Sequence, residues 1–199
     1  MGESEAAHLV LASASPRRLD LLNQIGLPPD ITDPPTVDEN PRRREQPQKL
    51  AKRLALEKAT IIAARHGNAF VLGADTVVAC GRRILPKAET VDEARACLET
   101  LSGRRHRVWG GITVAAPGGR MSSDVVCTVV ALKRLTTAET DAYLASGEWR
   151  GKAGGYAIQG RAAAFIRFLE GSYSNVVGLP LYETVMLLGG LGFSGCRPA

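Results

Sequence analysis

The sequence predicts an α/β fold in which helices and strands alternate within one domain. Of its 199 residues, 45% are hydrophobic and 23% are charged, which is typical of a globular chain and unlike a disordered one. Short apolar runs bounded by turn residues alternate with amphipathic helical patterns, and no clear linker interrupts them. We therefore expect a single domain over residues 1–199, long enough to bury a substantial core.

Apolar runs and helix signals place the elements in order along the chain. Ser15, Pro16 and Gly26 suit the N-cap, first position and stop of the first helix. Two capping boxes, Thr90 to Glu93 and Thr136 to Glu139, open later helices. The predicted strands are 8–12, 70–79, 106–116, 121–132 and 163–169, and the predicted helices are 16–25, 48–65, 91–101, 137–145 and 181–188. Residues 28–47 are expected as a loop with room for one extended piece, and 147–160 and 171–175 as loops.

The net charge and the cysteine pattern indicate the cellular compartment and the kinds of partner to expect. The 25 Lys and Arg residues exceed the 20 Asp and Glu residues, so the formal charge is +5, which suits nucleic acid, free nucleotides or anionic lipid. No apolar run approaches the ~18 residues of a membrane span, and the acidic segment Met1–Glu5 lacks the form of a signal peptide. The cysteines form no CxxC pair, which argues against zinc and against a disulfide framework. We expect a soluble cytoplasmic protein with reduced thiols; its cysteines are Cys80, Cys97, Cys127 and Cys196.

The turn between the first strand and the first helix has the composition of a phosphate site. Arg17 and Arg18 occupy the first helical turn, where the helix dipole normally favours acidic residues. Free backbone N–H groups at a helix start attract anions. Two guanidinium groups beside them, after Ser13 and Ser15, favour a bound phosphate. The alternative is that both arginines are solvated surface charges.

Asp75 is a single carboxylate in a nearly continuous apolar strand. A buried, unpaired carboxylate is costly, so a metal, a lysine or a role as general base would each account for it. A structural salt bridge or a protruding strand end are the plainer explanations. Lys58 lies on the apolar face of its helix, where snorkelling is the default. Lys87 is expected at the surface, and His106 in an ordinary strand environment.

The segment Gly151–Gly160 is rich in glycine, which permits close approach of the backbone to a ligand. It matches neither the P-loop nor the dinucleotide fingerprint, so a turn-rich loop is the plainer explanation. The residues alone thus indicate phosphate-ester or anhydride chemistry on a nucleotide-like substrate.

An ordered set of segments resembles the Maf family of nucleoside triphosphate pyrophosphatases. One such motif would be weak evidence, but together the segments follow the family order and span nearly the whole chain. The matching segments are Leu11–Arg18, Arg53–Ala59, Gly73–Val78, Leu101–Val108, Lys152–Gly160 and Gly171–Pro180.

The resemblance implies a two-lobed α/β fold around a mixed, twisted sheet, similar to inosine triphosphatases, with the active site in the cleft. It implies hydrolysis of the α–β phosphoanhydride of a nucleoside triphosphate to monophosphate and pyrophosphate, with a divalent metal cation (Mg²⁺ or Mn²⁺), and makes a homodimer plausible. By the same resemblance Asp75 would accept the proton of water, and Glu39 with Asp75 would place the metal. The residues implied to hold the triphosphate are Ser13, Arg17, Arg18, Lys58 and Lys87.

Three positions bear on substrate choice. Members of the dTTP/UTP type resemble this chain at Arg17, Thr76 and Gln159, and a glutamine amide offers both a donor and an acceptor to a uracil or thymine edge. The chain departs from the family at Pro86 and Ala88, where an acidic group beside Lys87 is missing. That departure leaves the proposed base untouched.

Two other functions remain open. One is hydrolysis of modified nucleotides by the same chemistry. The other is a non-catalytic, nucleotide-sensing or nucleic-acid-binding regulator of cell division. No basic stripe with interleaved aromatics supports stable nucleic-acid binding, and aromatic residues make up only 5% of the chain.

Overall fold

A mixed β-sheet forms the centre of the computed structural model, which describes residues 8–196. Met1–Glu5, on which the expectation about a leader depends, lie outside the described residues. The strands are β1 (Leu9–Ala12), β2 (Ile31–Thr32), β3 (Phe70–Cys80), β4 (Arg83–Leu85), β5 (Lys87–Ala88), β6 (Arg105–Ala115), β7 (Met121–Leu132), β8 (Lys152–Ala153) and β9 (Ile166–Glu170). The helices are α1 (Pro16–Gln24), α2 (Pro47–Ala63), α3 (Val91–Leu101), α4 (Thr137–Ser146), α5 (Tyr173–Val177) and α6 (Leu181–Gly190).

Seven strands share the main sheet in the order β2-β1-β3-β6-β7-β9, with β4 also paired to β3. β1 runs parallel to β2 and β3, whereas the other pairings are antiparallel. β5 and β8 form a separate two-stranded antiparallel ribbon. This arrangement confirms the predicted α/β fold around a mixed sheet.

Strand β3 has an unpaired stretch along one edge. β1 pairs with residues 70–73 and β4 with residues 78–80, while β6 occupies the opposite edge along residues 71–79. Residues 74–77 therefore have no neighbouring strand on the first edge among the described residues. Asp75 and Thr76 lie in this gap, beside the end of β1.

Helix α2 lies unusually close to the sheet because glycines face it. A Cβ atom at Gly73 would be 2.4 Å from the carbonyl oxygen of Ala55, and one at Gly111 would be 2.1 Å from that of Ala51. Gly111 is also the β6 partner of Asp75 in the register. The predicted apolar face of α2 is buried, with Lys58 on it.

Apolar side chains cover both faces of the sheet. The larger core joins one face to α1, α3 and α6, and two smaller clusters join the other face to α2. Among residues 8–196, no helix has the length and apolar character needed to cross a bilayer.

The structure corrects three sequence predictions near the C-terminal end. Residues Arg161–Phe165 form a 3₁₀ helix, and β9 begins only at Ile166, so the predicted strand 163–169 is partly wrong. A short apolar run does not distinguish the two states by periodicity. The expected loop at 171–175 contains the start of α5, whose N-cap Ser172 accepts a hydrogen bond from the Asn175 N–H. β8 was likewise expected as loop.

Candidate active site

A cleft of about 380 Å³ opens beside the gap in β3. Its walls come from the turn after β1, the loop before α2, strand β3, the segment 150–159 and the end of α5. Asp75 lines the adjoining depression together with Glu39, Thr76 and Lys87. The predicted residues that line the cleft are Ser13, Arg17, Arg18, Glu39, Lys58, Thr76, Lys87 and Gln159.

A chain of ion pairs joins Asp75 to the cleft. Lys58 Nζ lies 2.7 Å from Asp75 Oδ1 and 2.6 Å from Glu39 Oε1, and Lys87 Nζ donates to the other Glu39 oxygen. The side chains of Asp75 and Lys58 are only 3% and 8% exposed. The expectation that Lys58 snorkels is therefore wrong: the close packing of α2 on β3 brings its ammonium to a buried carboxylate. Lys87 is exposed as expected, yet it is tied to Glu39.

Glu39 stays ionised well into acid. Burial acts to raise its pKa, but hydrogen bonds and charge from Lys58 and Lys87 outweigh that effect and lower the pKa to about 2. The acidic rim of the cleft therefore keeps its charge at neutral pH.

Arg18 braces the turn after β1 from inside. It is buried, its Nε donates to the Gly178 carbonyl at 2.9 Å, and its Nη1 donates to Ser13 Oγ at 2.9 Å. Its Nη2 donates to Thr76 Oγ1 at 3.3 Å. Because three donors of this guanidinium are engaged by the protein, Arg18 holds the turn and the end of α5 together.

Arg17 is placed differently. It is partly buried, and its Nε donates to the Val177 carbonyl at 3.2 Å. No other hydrogen bond of Arg17 is found within residues 8–196, so its terminal nitrogens are left for a ligand. Burial, and secondarily the charge of Arg18, lower the pKa of Arg17. An anion bound in the cleft would offset both effects and raise the pKa of Arg17 again.

Ser15 does not cap α1 with its side chain, contrary to expectation, although it occupies the N-cap position. Ser13 Oγ accepts the Ser15 N–H at 3.2 Å instead. No acidic residue lies in the first turn of the helix, so the helix start faces the cleft without a carboxylate.

The glycine-rich segment forms the opposite wall. Gly154 and Gly155 both have left-handed backbone angles, with φ of +71° and +68°, and a Cβ atom at Gly154 would lie 2.8 Å from Val78 Cγ1. Arg150, Lys152 and the exposed Gln159 line the cleft from this wall. Sequence reasoning did not single out Arg150 or Lys152, although Lys152 stands within a segment quoted for the resemblance.

His106 supports the glycine-rich wall from inside the protein. The expectation of an ordinary strand environment for this residue is therefore wrong. It is 2% exposed, and its Nε2 lies 2.7 Å from the hydroxyl oxygen of Tyr156, a residue of the cleft wall. Burial lowers the pKa of His106 to about 4. The ring is therefore neutral at pH 7.

Asn175 anchors the wall of the cleft that the end of α5 forms. Its role was not predicted from the sequence. It is fully buried and its amide donates to the Val108 carbonyl at 3.1 Å and to Thr128 Oγ1 at 2.9 Å. A Cβ atom at Gly110 would lie 1.8 Å from Asn175 Oδ1. The glycine in the middle of β6 was the signal available in the sequence, because it marks close approach of another group.

The donor set fits a metal ion that arrives with phosphates. Within residues 8–196 no three His, Cys, Asp or Glu side chains gather in a metal-binding group. Glu39 and Asp75 supply hard oxygen donors on either side of Lys58. Mg²⁺ is commonly held by one or two carboxylates together with substrate phosphates.

The fold and the cleft together define an α/β protein with a cleft lined by arginine and lysine side chains beside a buried carboxylate–lysine pair. The chain belongs to the Maf-like protein family, whose sequence profile matches residues 8–191. It is similar to a dTTP/UTP pyrophosphatase of Paramagnetospirillum magneticum, with 63% identity over 188 residues that cover 94% of this chain and 99% of the relative. It is also similar to a dTTP/UTP pyrophosphatase of Caulobacter vibrioides, with 61% identity over 185 residues that cover 93% and 96%. Among solved structures, the Staphylococcus aureus Ham1 protein matches 63% of this chain and 71% of that chain at 14% identity, with a TM-score of 0.45.

Proposed function

We propose that this chain is a nucleoside triphosphate pyrophosphatase that hydrolyses the α–β phosphoanhydride of dTTP and UTP to the monophosphate and pyrophosphate. The observation that carries the proposal is the buried Asp75 carboxylate, held by Lys58 at the edge of a cationic cleft. The similar proteins from Paramagnetospirillum and Caulobacter are dTTP/UTP pyrophosphatases, which supports the same substrates.

The phosphates are bound by cations on opposite walls. Arg17 offers its terminal nitrogens from the turn after β1, and Lys87 and Lys152 approach from the β5–β8 ribbon. Ser13 and Arg18 shape the turn. Positive groups that surround the leaving pyrophosphate stabilise the charge that develops on it.

Asp75 takes the proton of the attacking water. The water oxygen forms a bond to the α-phosphorus, the bond from that phosphorus to the bridging oxygen breaks, and pyrophosphate leaves. Lys58 fixes the carboxylate through its 2.7 Å ion pair. Glu39 and Asp75 would hold Mg²⁺ or Mn²⁺ brought by the triphosphate, and the metal would neutralise charge on the phosphate oxygens.

The nucleobase is read by groups at the cleft mouth. Gln159 is exposed there, and its amide can donate to a carbonyl and accept from the N3–H of uracil or thymine. Thr76 Oγ1 accepts a hydrogen bond from Arg18 Nη2, so Thr76 links base selection to the turn after β1. Modified pyrimidines that keep this edge would also be accepted.

The thiols and the substrate also bear on the cellular location and the partners of the enzyme. We place it in the cytoplasm, as the free thiols of Cys80, Cys97 and Cys127 favour, with the nucleotide as its principal partner. A homodimer, expected from the family resemblance, stays a prediction that size-exclusion chromatography with light scattering would test.

The decisive experiment measures pyrophosphate release with Mg²⁺ from dTTP, UTP, CTP, GTP and 7-methyl-GTP. We expect release from dTTP and UTP, and a loss of about 10²–10⁴-fold in Asp75→Asn, because the base is removed. Asp20→Asn, an exposed position on α1, is the matched control and retains the wild-type rate.

Two outcomes would contradict this. Near-normal turnover in a folded Asp75→Asn variant would remove Asp75 from the mechanism. No release from any of the five nucleotides by folded wild-type protein would refute the activity on standard nucleotides.

A further inference from the structure

A second groove, of about 660 Å³, lies at the start of α2 and at the β3–β4 turn. None of its lining residues in the described part of the chain also lines the cleft. The hydrolysis proposed for the cleft does not involve this groove. Its lining includes Arg44, Glu45, Pro47, Arg82, Arg107 and Trp109.

The groove carries an unneutralised positive charge. Arg44, Arg82 and Arg107 are exposed, and within residues 8–196 none of them makes a salt bridge. Glu45 is the acidic residue of the lining, and Arg53 Nε already binds its Oε1 at 2.8 Å. Three guanidinium groups are therefore available to an anion, and guanidinium matches phosphate in geometry as well as charge.

The backbone at the groove is strained. Arg44 has φ of +59° and is the one non-glycine residue with positive φ among residues 8–196. Such conformations in ordinary residues cluster at binding and catalytic sites. The next helix, α2, begins at Pro47 without a side-chain cap and without an acidic residue in its first turn, which adds to the positive potential.

Trp109 supplies an aromatic side chain. It is partly buried on β6, opposite Val77 in the register, and it lines the groove. Indole rings stack on nucleobases without regard to their identity. A single such ring suits one base, whereas a nucleic-acid strand needs a succession of aromatic groups.

We propose that this groove binds a free nucleoside phosphate, with the base stacked on Trp109 and the phosphate held by Arg44, Arg82 and Arg107. Its volume lies within the range of small-molecule sites, about 300–1,000 Å³. The inference concerns binding alone and does not depend on the activity of the cleft.

Tryptophan fluorescence tests the proposal when the wild type is compared with Trp109→Phe. Trp149 is 1% exposed, but the guanidinium of Arg150, a residue of the cleft, lies 4.8 Å from the centre of its ring, so only the quenching by AMP or UMP that Trp109→Phe removes reports Trp109. We expect saturable quenching in the wild type and none in Trp109→Phe.

Paired variants locate the ligand. Arg82→Gln with Arg107→Gln should raise the apparent Kd about tenfold or more, because charge-assisted hydrogen bonds are lost. The matched control, Arg43→Gln with Arg167→Gln, removes two exposed arginines outside the groove and should leave the Kd unchanged.

Four results would overturn the proposal. They are no quenching at millimolar AMP or UMP, quenching lost in Arg17→Gln but kept in the groove double variant, equal affinity for pyrophosphate alone, and affinity for oligo-dT that rises steeply with length. The second would place the ligand in the cleft, the third would leave a simple anion site, and the fourth would make a nucleic-acid strand the occupant.

Discussion

The Lys58 ammonium organises the acidic half of the cleft. It is bonded to Asp75 and Glu39 at 2.7 and 2.6 Å, so the two carboxylates share one cation. Removing one partner of a buried pair leaves the other charge uncompensated, which is strongly destabilising. The ion pair with Asp75 therefore explains why a lysine lies on the apolar face of α2.

At Gln159 we predict a change in selectivity rather than in stability. Gln159→Glu removes the amide donor and adds a negative charge beside a pyrimidine carbonyl, so dTTP and UTP turnover should fall by about 10-fold or more. Relative rates across the five nucleotides, with thermal unfolding measured in parallel, provide the check. Unchanged relative rates would refute the selectivity role.

At His106 we predict a pH-dependent contribution to stability. Its pKa falls from 6.5 to about 4 on folding because of burial. A depressed folded pKa means that this stability is present above pH 6.5 and is lost as the pH falls toward 4. The free energy of unfolding should therefore drop by about 2 kcal/mol between pH 7 and pH 5 through this group.

Urea denaturation at the two pH values measures the drop. His106→Gln should be less stable at pH 7 and should lose less on acidification than the wild type. His8→Gln, an exposed histidine, is the control. An equal drop in the wild type and in His106→Gln would exclude His106 as the cause.

At the scale of elements, the contact of α2 with the sheet depends on Gly73. In Gly73→Ala, the new methyl group would lie 2.4 Å from the Ala55 carbonyl oxygen and 2.7 Å from the Ala59 nitrogen. Both atoms belong to the helix backbone, so α2 must move as a unit. We expect a loss of about 1–3 kcal/mol in unfolding free energy and a lower kcat, because Lys58 moves away from Asp75.

Gly67→Ala provides the comparison for that variant. A Cβ atom there meets no atom within 4 Å, so urea denaturation should show little change. Equal behaviour of the two variants would show that the close approach of α2 is not what holds Lys58 against Asp75.

Elements with strong end signals were predictable, and short ones were not. The capping boxes at Thr90 and Thr136 are both formed, and α3 spans the predicted residues 91–101. By contrast, β8 has two residues and α5 has five. Their existence depends on distant partners, such as the pairing of Lys87 with Ala153, which no local pattern contains.

At the scale of the whole molecule, the cleft joins distant parts of the chain, from Ser13 to Gly178. A ligand that binds there stabilises the folded state, by about 2.7 kcal/mol at 100 times its Kd. We predict that UTP with Mg²⁺ raises the Tm of Asp75→Asn by about 5–10 °C, whereas GTP raises it less. Differential scanning fluorimetry would show this, and equal shifts with both nucleotides would contradict the pyrimidine preference.

The site was predictable as a set of residue types but not as a network. An isolated carboxylate at Asp75 and a lysine on an apolar face each required a partner, yet the sequence does not state that they partner each other across 17 residues. The brace from Arg18 to Gly178 was equally invisible, because Arg18 was expected to contact phosphate directly. The expectation of one domain over residues 1–199 stays a prediction.

The brace from Arg18 to Gly178 also has a consequence during translation. The two residues are 160 positions apart, and at about 5–20 residues per second a ribosome needs roughly 8–32 s to make the intervening chain. Until then Arg17 and Arg18 lack the carbonyls of Val177 and Gly178 that hold them, and the wall formed by the end of α5 is missing from the cleft. We therefore expect incomplete chains that lack the end of α5 to bind no nucleotide, because the cleft is not yet closed on that side.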